Sequence, residues 1–113
     1  MVARTPLSDA PPFEVEYAIR RLGADLRTAR LRRNLTLDEV GNKIGVGRRA
    51  VSGAERGKPT TTIVTYAALL WAYGLLEGFG QLADPAHDAE GMTLARTRER
   101  ERARTPELLD NDF

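Results

Sequence analysis

From Glu14 onward, apolar residues recur at Val15, Ala18, Ile19, Leu22, Leu26 and Ala29, three and four apart, with Arg and Asp on the other side. That is the spacing of one helical face, and it predicts a first helix over about residues 14 to 33. The stretch NLTLDEVGNKIG puts Leu37, Val40 and Ile44 on one face of a second helix. Thr36, with Glu39 three residues on, has the form of a capping box and fixes where that helix starts; Gly45 ends it. Gly47 then serves as a weaker cap for a third helix, residues 48 to about 56, which Gly57 stops and Pro59 keeps from continuing. A fourth helix begins near Thr61 or Thr62 and carries Ile63, Tyr66, Ala67, Leu70 and Tyr73 up to Gly74. Beyond it, LLEGFGQLADP reads as a short amphipathic piece broken by glycine. No stretch alternates as a strand does. The expected fold class is all-α, a compact bundle of four to five helices with a flexible C-terminal tail.

The same pattern divides the chain into a flexible N-terminal arm (1–13), a helical body (14–83) and a charged tail (84–113) expected to be largely disordered when free. The tail has too little apolar content for a core of its own. The whole chain has 113 residues and 42% hydrophobic content, enough for one small core, and three Phe, three Tyr and one Trp make that core largely aliphatic.

Charge adds what hydropathy leaves out. Residues 20 to 58 hold eleven Arg and Lys against four Asp and Glu, whereas residues 59 to 95 hold four acids and no Arg or Lys. RTRERERAR, residues 96 to 104, then carries five Arg and two Glu, and the chain closes on the acidic TPELLDNDF. A basic globular half with a charged tail fits a nucleic-acid binder that holds a second partner.

Two helices joined by a short turn containing Gly, the second of them basic, form a helix-turn-helix. At about 100° per residue, Ala50, Val51 and Ala54 gather with Gly47 on one side of the third helix. Arg49, Ser52, Gly53 and Arg56 gather on the other, with Arg48 at the border. Two arginines in a first turn oppose the helix macrodipole, so stability alone does not select them. Arg is, however, shaped to bridge guanine O6 and N7 in a major groove, and Ser and Gly admit close approach. The candidate DNA-contacting residues are therefore Thr36, Arg48, Arg49, Ser52, Gly53, Arg56 and Lys58.

The stretch LRTARLRRNLTLDEVGNKIGVGRRAVSGAERGKP resembles the helix-turn-helix of the Xre/Cro/phage-repressor family, over residues 26 to about 75. The resemblance implies a structural ion pair between Arg30 and Glu55. The chain departs from the family pattern where Leu37 replaces a phosphate-contacting Gln, Gly41 replaces the usual Ala, and Ala54 replaces a large aliphatic residue. The last of these implies a loosely packed third helix. LLWAYGLLEGFGQLADPAHDAEGMTLARTR is similar to the HipB-like antitoxins, which implies a homodimer that binds a palindromic operator, represses its own operon and neutralises a HipA-like serine/threonine kinase toxin. The alternative is an autonomous Xre-family regulator with no toxin partner. Trp71, Tyr73, Leu75, Leu76 and Phe79 offer more apolar surface than one small core uses and are assigned to a dimer or partner surface, with Trp71 capping the monomer core as the competing reading. Leu108, Leu109 and Phe113, spaced among acids, are assigned to partner docking.

An enzyme is not expected. Cysteine is absent and His87 is the only histidine, which leaves no thiol nucleophile, disulfide, metal centre or cofactor site of the usual kinds. The paired carboxylates Glu14/Glu16, Asp38/Glu39 and Glu99/Glu101 fall on exposed faces, and GVGRRAVSG lacks the strand and Lys-Ser/Thr of a phosphate loop. No small-molecule substrate follows from any of this. The N-terminus has no apolar leader segment and YAALLWAYGLL is too short to span a bilayer, so a cytoplasmic protein without a membrane partner is expected.

Overall fold

A computed structural model describes residues 6–111, with side chains to residue 104. Among these residues all regular structure is helical: α1 (Phe13–Arg32), α2 (Leu37–Ile44), α3 (Arg48–Glu55), α4 (Ile63–Ala72), the single turn α5 (Leu76–Phe79), a 3-10 turn (Pro85–His87) and α6 (Ala89–Asn111). The chain divides into two units, one running to Phe79 and the other starting at Gly80.

Local chemistry sets most of the boundaries in the first unit. Acidic Glu14 and Glu16 lie in the first turn of α1 and Arg30 and Arg32 in its last, each matching the sign of the helix dipole there. At the start of α2 the capping box is complete. The Glu39 amide donates to Thr36 Oγ1 at 3.1 Å and the Thr36 amide donates to Glu39 Oε1 at 3.1 Å. Gly45 then turns the chain out of α2 at a φ of 84°, and Gly57 does the same after α3 at 69°. Thr62 caps α4 by accepting from the Thr65 amide at 3.2 Å.

The core is built from Leu26, Ala29, Val40, Val51, Ala54, Tyr66, Leu69 and Tyr73. α3 packs against α1 and α2, and α4 against α2 and α3. Leu37, where the family resemblance expects a phosphate-contacting Gln, instead packs half-buried against this core. Tyr73 corrects its sequence assignment. Expected on a dimer or partner surface, it is 4% exposed and belongs to the core. Tyr66, Leu69 and Tyr73 are spaced as one helical row, and that row faces inward.

Ala54 also departs from expectation. A small residue there was expected to leave α3 loosely seated, yet Ala54 is fully buried. Gly23 of α1 explains it, because a methyl group at that position would lie 2.7 Å from the Glu55 carbonyl oxygen. A small residue on each helix lets the two backbones meet, and the volume lost at Ala54 is closed by approach. Gly41 follows the same logic: a Cβ there would sit 2.6 Å from the carbonyl oxygen of Val46.

In the second unit, Asp88 Oδ1 accepts from the Gly91 amide at 3.0 Å at the start of α6. No described residue of α6 is buried. The helix is therefore supported by local terms, chiefly the good helix propensity of its Arg, Glu, Ala and Leu residues. The sequence reading anticipated the absent core; the helical backbone over Ala89–Asn111 it did not. The side chains of Leu108 and Leu109, and Phe113 altogether, lie outside the described residues.

Candidate nucleic-acid interface

α2 and α3 are joined by Gly45, Val46 and Gly47, and the tightness of that turn fixes how α3 projects. The amides of Gly45 and Val46 both donate to the Gly41 carbonyl, at 2.8 and 2.9 Å. With no side chain on Gly41, the returning strand of the turn can fold directly over α2. Val51 and Ala54 then seat one face of α3 completely in the core.

The helix is anchored from behind by an ion pair. Arg30 Nε lies 2.7 Å from Glu55 Oε2 and its second terminal nitrogen 3.0 Å from Oε1, a two-pronged pair with side chains only 9% and 5% exposed. The remaining arm of Arg30 donates to the Leu35 carbonyl at 2.9 Å. Hydrogen bonding to Glu55 raises the Arg30 pKa further above its ordinary value, against the opposing effect of burial. The guanidinium thus carries its charge at every accessible pH.

The opposite face presents Arg48 and Arg49, both exposed, with Ser52 half-buried and Arg56 exposed beyond them. The two adjacent arginines differ in their surroundings. Arg48 Nε lies 3.7 Å from Asp38 Oδ1 across the turn, a solvent-exposed pair that offsets part of its unfavourable position at a helix start. Arg49 has no ion pair among the described residues. Thr36 is exposed on α2, but its Oγ1 is already an acceptor in the capping box. Arg56 folds back toward its own helix, with Nε 3.4 Å from the Ser52 carbonyl.

Gly53 lies on the face of Arg49, as the helical wheel puts it, but that face is covered there. It is buried, and the position a Cβ would take is 3.7 Å from Lys58 Cδ and 3.8 Å from Thr61 Oγ1. The chain after α3 turns back over it. Gly53 therefore forms the floor of a shallow cleft of about 320 Å³, walled by Arg49, Lys58, Thr61, Thr62 and Thr65. Two cations, several threonine hydroxyls and the start of α4 converge there, a set of donors suited to an anion. A second shallow cleft is lined by Glu16, Arg20, Arg56, Gly57, Lys58 and Pro59, with Arg20 paired to Glu16 at 2.7 Å. Arg20, Thr61, Thr62 and Thr65 were missed by the sequence reading. The TTT run that follows the basic third helix is the signal for Thr61 and Thr62 in the sequence.

The residues assigned to a dimer or partner surface separate. Trp71 is 57% exposed, Leu75 and Leu76 are exposed, Phe79 is half-buried and Tyr73 is inside. Ile63 and Val64, 68% and 72% exposed, extend the same apolar surface along α4. Lys43 Nζ lies 6.0 Å from the centre of the Trp71 ring and also reaches the Ala72 carbonyl at 3.4 Å.

Residues 21–78 match the sequence model of a family described as a helix-turn-helix domain. No curated protein and no solved structure matches the chain. No helix among the described residues is long and apolar enough to cross a membrane.

Proposed function

The chain belongs to the helix-turn-helix domain family, and from that premise we propose that it is a sequence-specific transcriptional repressor that reads duplex DNA with α3. A helix-turn-helix lays its second helix in the major groove, and the first residues of that helix reach base edges. The observation that carries the reading is the contrast between the two faces of α3. Val51 and Ala54 are fully buried on one side, while on the other the exposed Arg49 makes no ion pair among the described residues. In this reading Arg49 addresses a base and Arg48, shared with Asp38, a phosphate. Ser52 lines the approach, and Arg56, Lys58 and the cleft at the start of α4 hold the backbone. Thr36 contributes its backbone and cap. Gly53 contributes space for Lys58 rather than a contact.

The outward face of α4 supports a dimer. Tyr66 and Leu69 face inward, while Ile63, Val64 and Trp71 face outward and Ala67 and Ala68 are half-buried between. A helix apolar on all sides is ordinarily covered on all sides. Val64, Ala68 and Trp71 are spaced four and three apart, a stripe that a second copy covers under two-fold symmetry, giving a palindromic operator. The finer reading is a HipB-like antitoxin that represses its own operon and neutralises a HipA-like kinase, with the charged tail, residues 84–113, docking on it. That reading is supported by the similarity of residues 69 to 98 and is cytoplasmic in setting. Its alternative is an autonomous regulator of the same family.

Two experiments test these readings. In a gel shift against the operator region, Arg48→Ala/Arg49→Ala should remove sequence preference; an unchanged preference would reject α3 as the reading helix. A chain ending at Asp84 should keep operator binding and lose most of its affinity for a kinase encoded beside it. Undiminished neutralisation by that shortened chain would move the partner surface onto the helical body.

A further inference from the structure

From the arginine pattern of α6 we propose a second DNA-binding surface, a row formed by Arg96, Arg100 and Arg104 that grips the phosphate backbone without reading sequence. The three stand four residues apart, and at about 100° per residue they fall within roughly 80° of arc. Between Arg96 and Arg104 no acid lies inside that arc, since Glu99 and Glu101 fall to either side of it; Glu107 returns to it one turn further on and closes the row. Arg96 and Arg100 make no ion pair among the described residues. Thr93 and Thr97 complete the face, and their hydroxyls are bonded back to the carbonyls of Ala89 and Thr93 at 3.1 and 3.0 Å, which leaves the surface between the guanidinium groups low.

Like charges four apart oppose the helix that carries them. Glu99 and Glu101, three residues from Arg96 and Arg104, offset it only in part, and no described residue of α6 is buried to offset the rest. An extended anion does offset it. The three side chains of the row are all Arg, and Arg presents a planar fork that pairs with phosphate through two hydrogen bonds. A continuous basic helix lying along duplex DNA is an established mode of contact. The assignment of DNA, rather than another polyanion, rests on the reading of α3 given above. Held on one chain with α3, the row raises the local concentration of the second contact once the first has formed.

The test uses the full chain and fluorescence anisotropy on two duplexes, one carrying the operator and one of unrelated sequence, across a salt series. With Arg96→Gln/Arg100→Gln/Arg104→Gln, the slope of log affinity against log salt on the unrelated duplex should fall by about 2.7, three phosphate contacts at about 0.9 each. Gln and Arg have similar helix propensity, so α6 survives the change, and circular dichroism checks it. The corresponding triple Lys variant should keep the slope. The ratio of operator to unrelated affinity should be unaltered by the triple Gln change and lost in Arg49→Ala. A triple Gln variant with the full slope on DNA overturns the assignment of α6 and leaves the reading of α3 standing, whatever that variant has lost toward RNA or an acidic protein. Wild-type chain that shows no salt-dependent duplex binding overturns both.

Discussion

Arg33, the residue that closes α1, donates to the carbonyl oxygen of Tyr73, the residue that closes α4, at 2.9 Å. A second arm of the same guanidinium returns to the Ala29 carbonyl at 2.9 Å, and its carbon lies 5.5 Å from the centre of the Tyr73 ring. One cation thus serves the negative ends of two helices at once. Arg33→Gln should cost about 1 kcal/mol, a drop in Tm of roughly 4–8 °C for a domain of this size. An unchanged Tm would show that solvent screens the contact completely.

Gly41 is where the chain departs from the alanine that the family resemblance expects, and the departure has a steric cause. A Cβ there would meet the Val46 carbonyl oxygen at 2.6 Å, and a backbone atom in a tight turn gives way poorly. Gly41→Ala should therefore destabilise the domain by about 1–3 kcal/mol despite the better helix propensity of Ala. A chemical denaturation midpoint equal to or above that of wild type would refute the close approach.

Alkaline pH should weaken the fold through two phenols. Burial is the main cause that raises the pKa of both Tyr66 and Tyr73 above the ordinary tyrosine value, with Glu55 adding to the effect at Tyr73. A raised folded pKa means that the unfolded chain loses its proton first. The contribution to stability is complete below about pH 10 and declines as pH climbs through the folded values. Tyr66→Phe/Tyr73→Phe should flatten stability above pH 10, measured by urea unfolding. Tyr73→Phe alone should cost little or stabilise at neutral pH, because the Tyr73 hydroxyl is buried without a hydrogen-bond partner among the described residues.

The outward stripe of α4 gives a fourth expectation. Val64→Asp and Trp71→Asp each put a charge into the surface assigned to the second copy, at positions 72% and 57% exposed in the single chain. Each should leave the Tm of the dilute chain nearly unchanged while shifting sedimentation from dimer to monomer and weakening operator binding. A dimer that survives both changes would place the two-fold axis elsewhere.

Glu55 supplies the fifth. Glu55→Gln removes one partner of a buried pair and strands the Arg30 charge, at a cost of about 3–5 kcal/mol. Thermal unfolding should register it well before operator specificity changes in the molecules that remain folded. Equal stability of the variant would mean that water can reach Arg30.

These expectations also mark where sequence was legible. Helix limits came through because their signals are local: Thr36 and Glu39 meet within one turn, and Gly45, Gly57 and Gly74 all adopt the positive φ that their place after a helix suggests. The inward side of α2, and of α1 from Ile19 onward, was equally plain, since polar residues mark the other side; Val15 and Ala18, which share the spacing of that face, are exposed because no described element covers the start of α1. α4 offered no such contrast, and Tyr73 was placed outside for that reason. Gly23 and Gly41 owe their importance to backbone that arrives from elsewhere in the fold, which no periodicity records. The burial of Gly53 was not legible because Lys58 and Thr61 return over it after the turn at Gly57. α6 was hidden because hydropathy finds helices by their apolar face, and this one has little.

The three attachments of Arg30 have a consequence for motion. One side chain holds α3 through Glu55 and the link to α2 through the Leu35 carbonyl, while the Leu35 amide donates back to the Arg30 carbonyl at 3.2 Å. Peeling α3 away exposes the guanidinium and strips it of both Glu55 bonds, leaving only the Leu35 carbonyl. Opening of α3 alone is thereby made costly, and the backbone amides of α1 and α3 should exchange with solvent deuterium at similarly slow rates. The amides of α6, which no core holds, should exchange orders of magnitude sooner. The surface assigned to base recognition is then a stiff one, and DNA that fits it must do so by bending or by sequence, not by reshaping the protein.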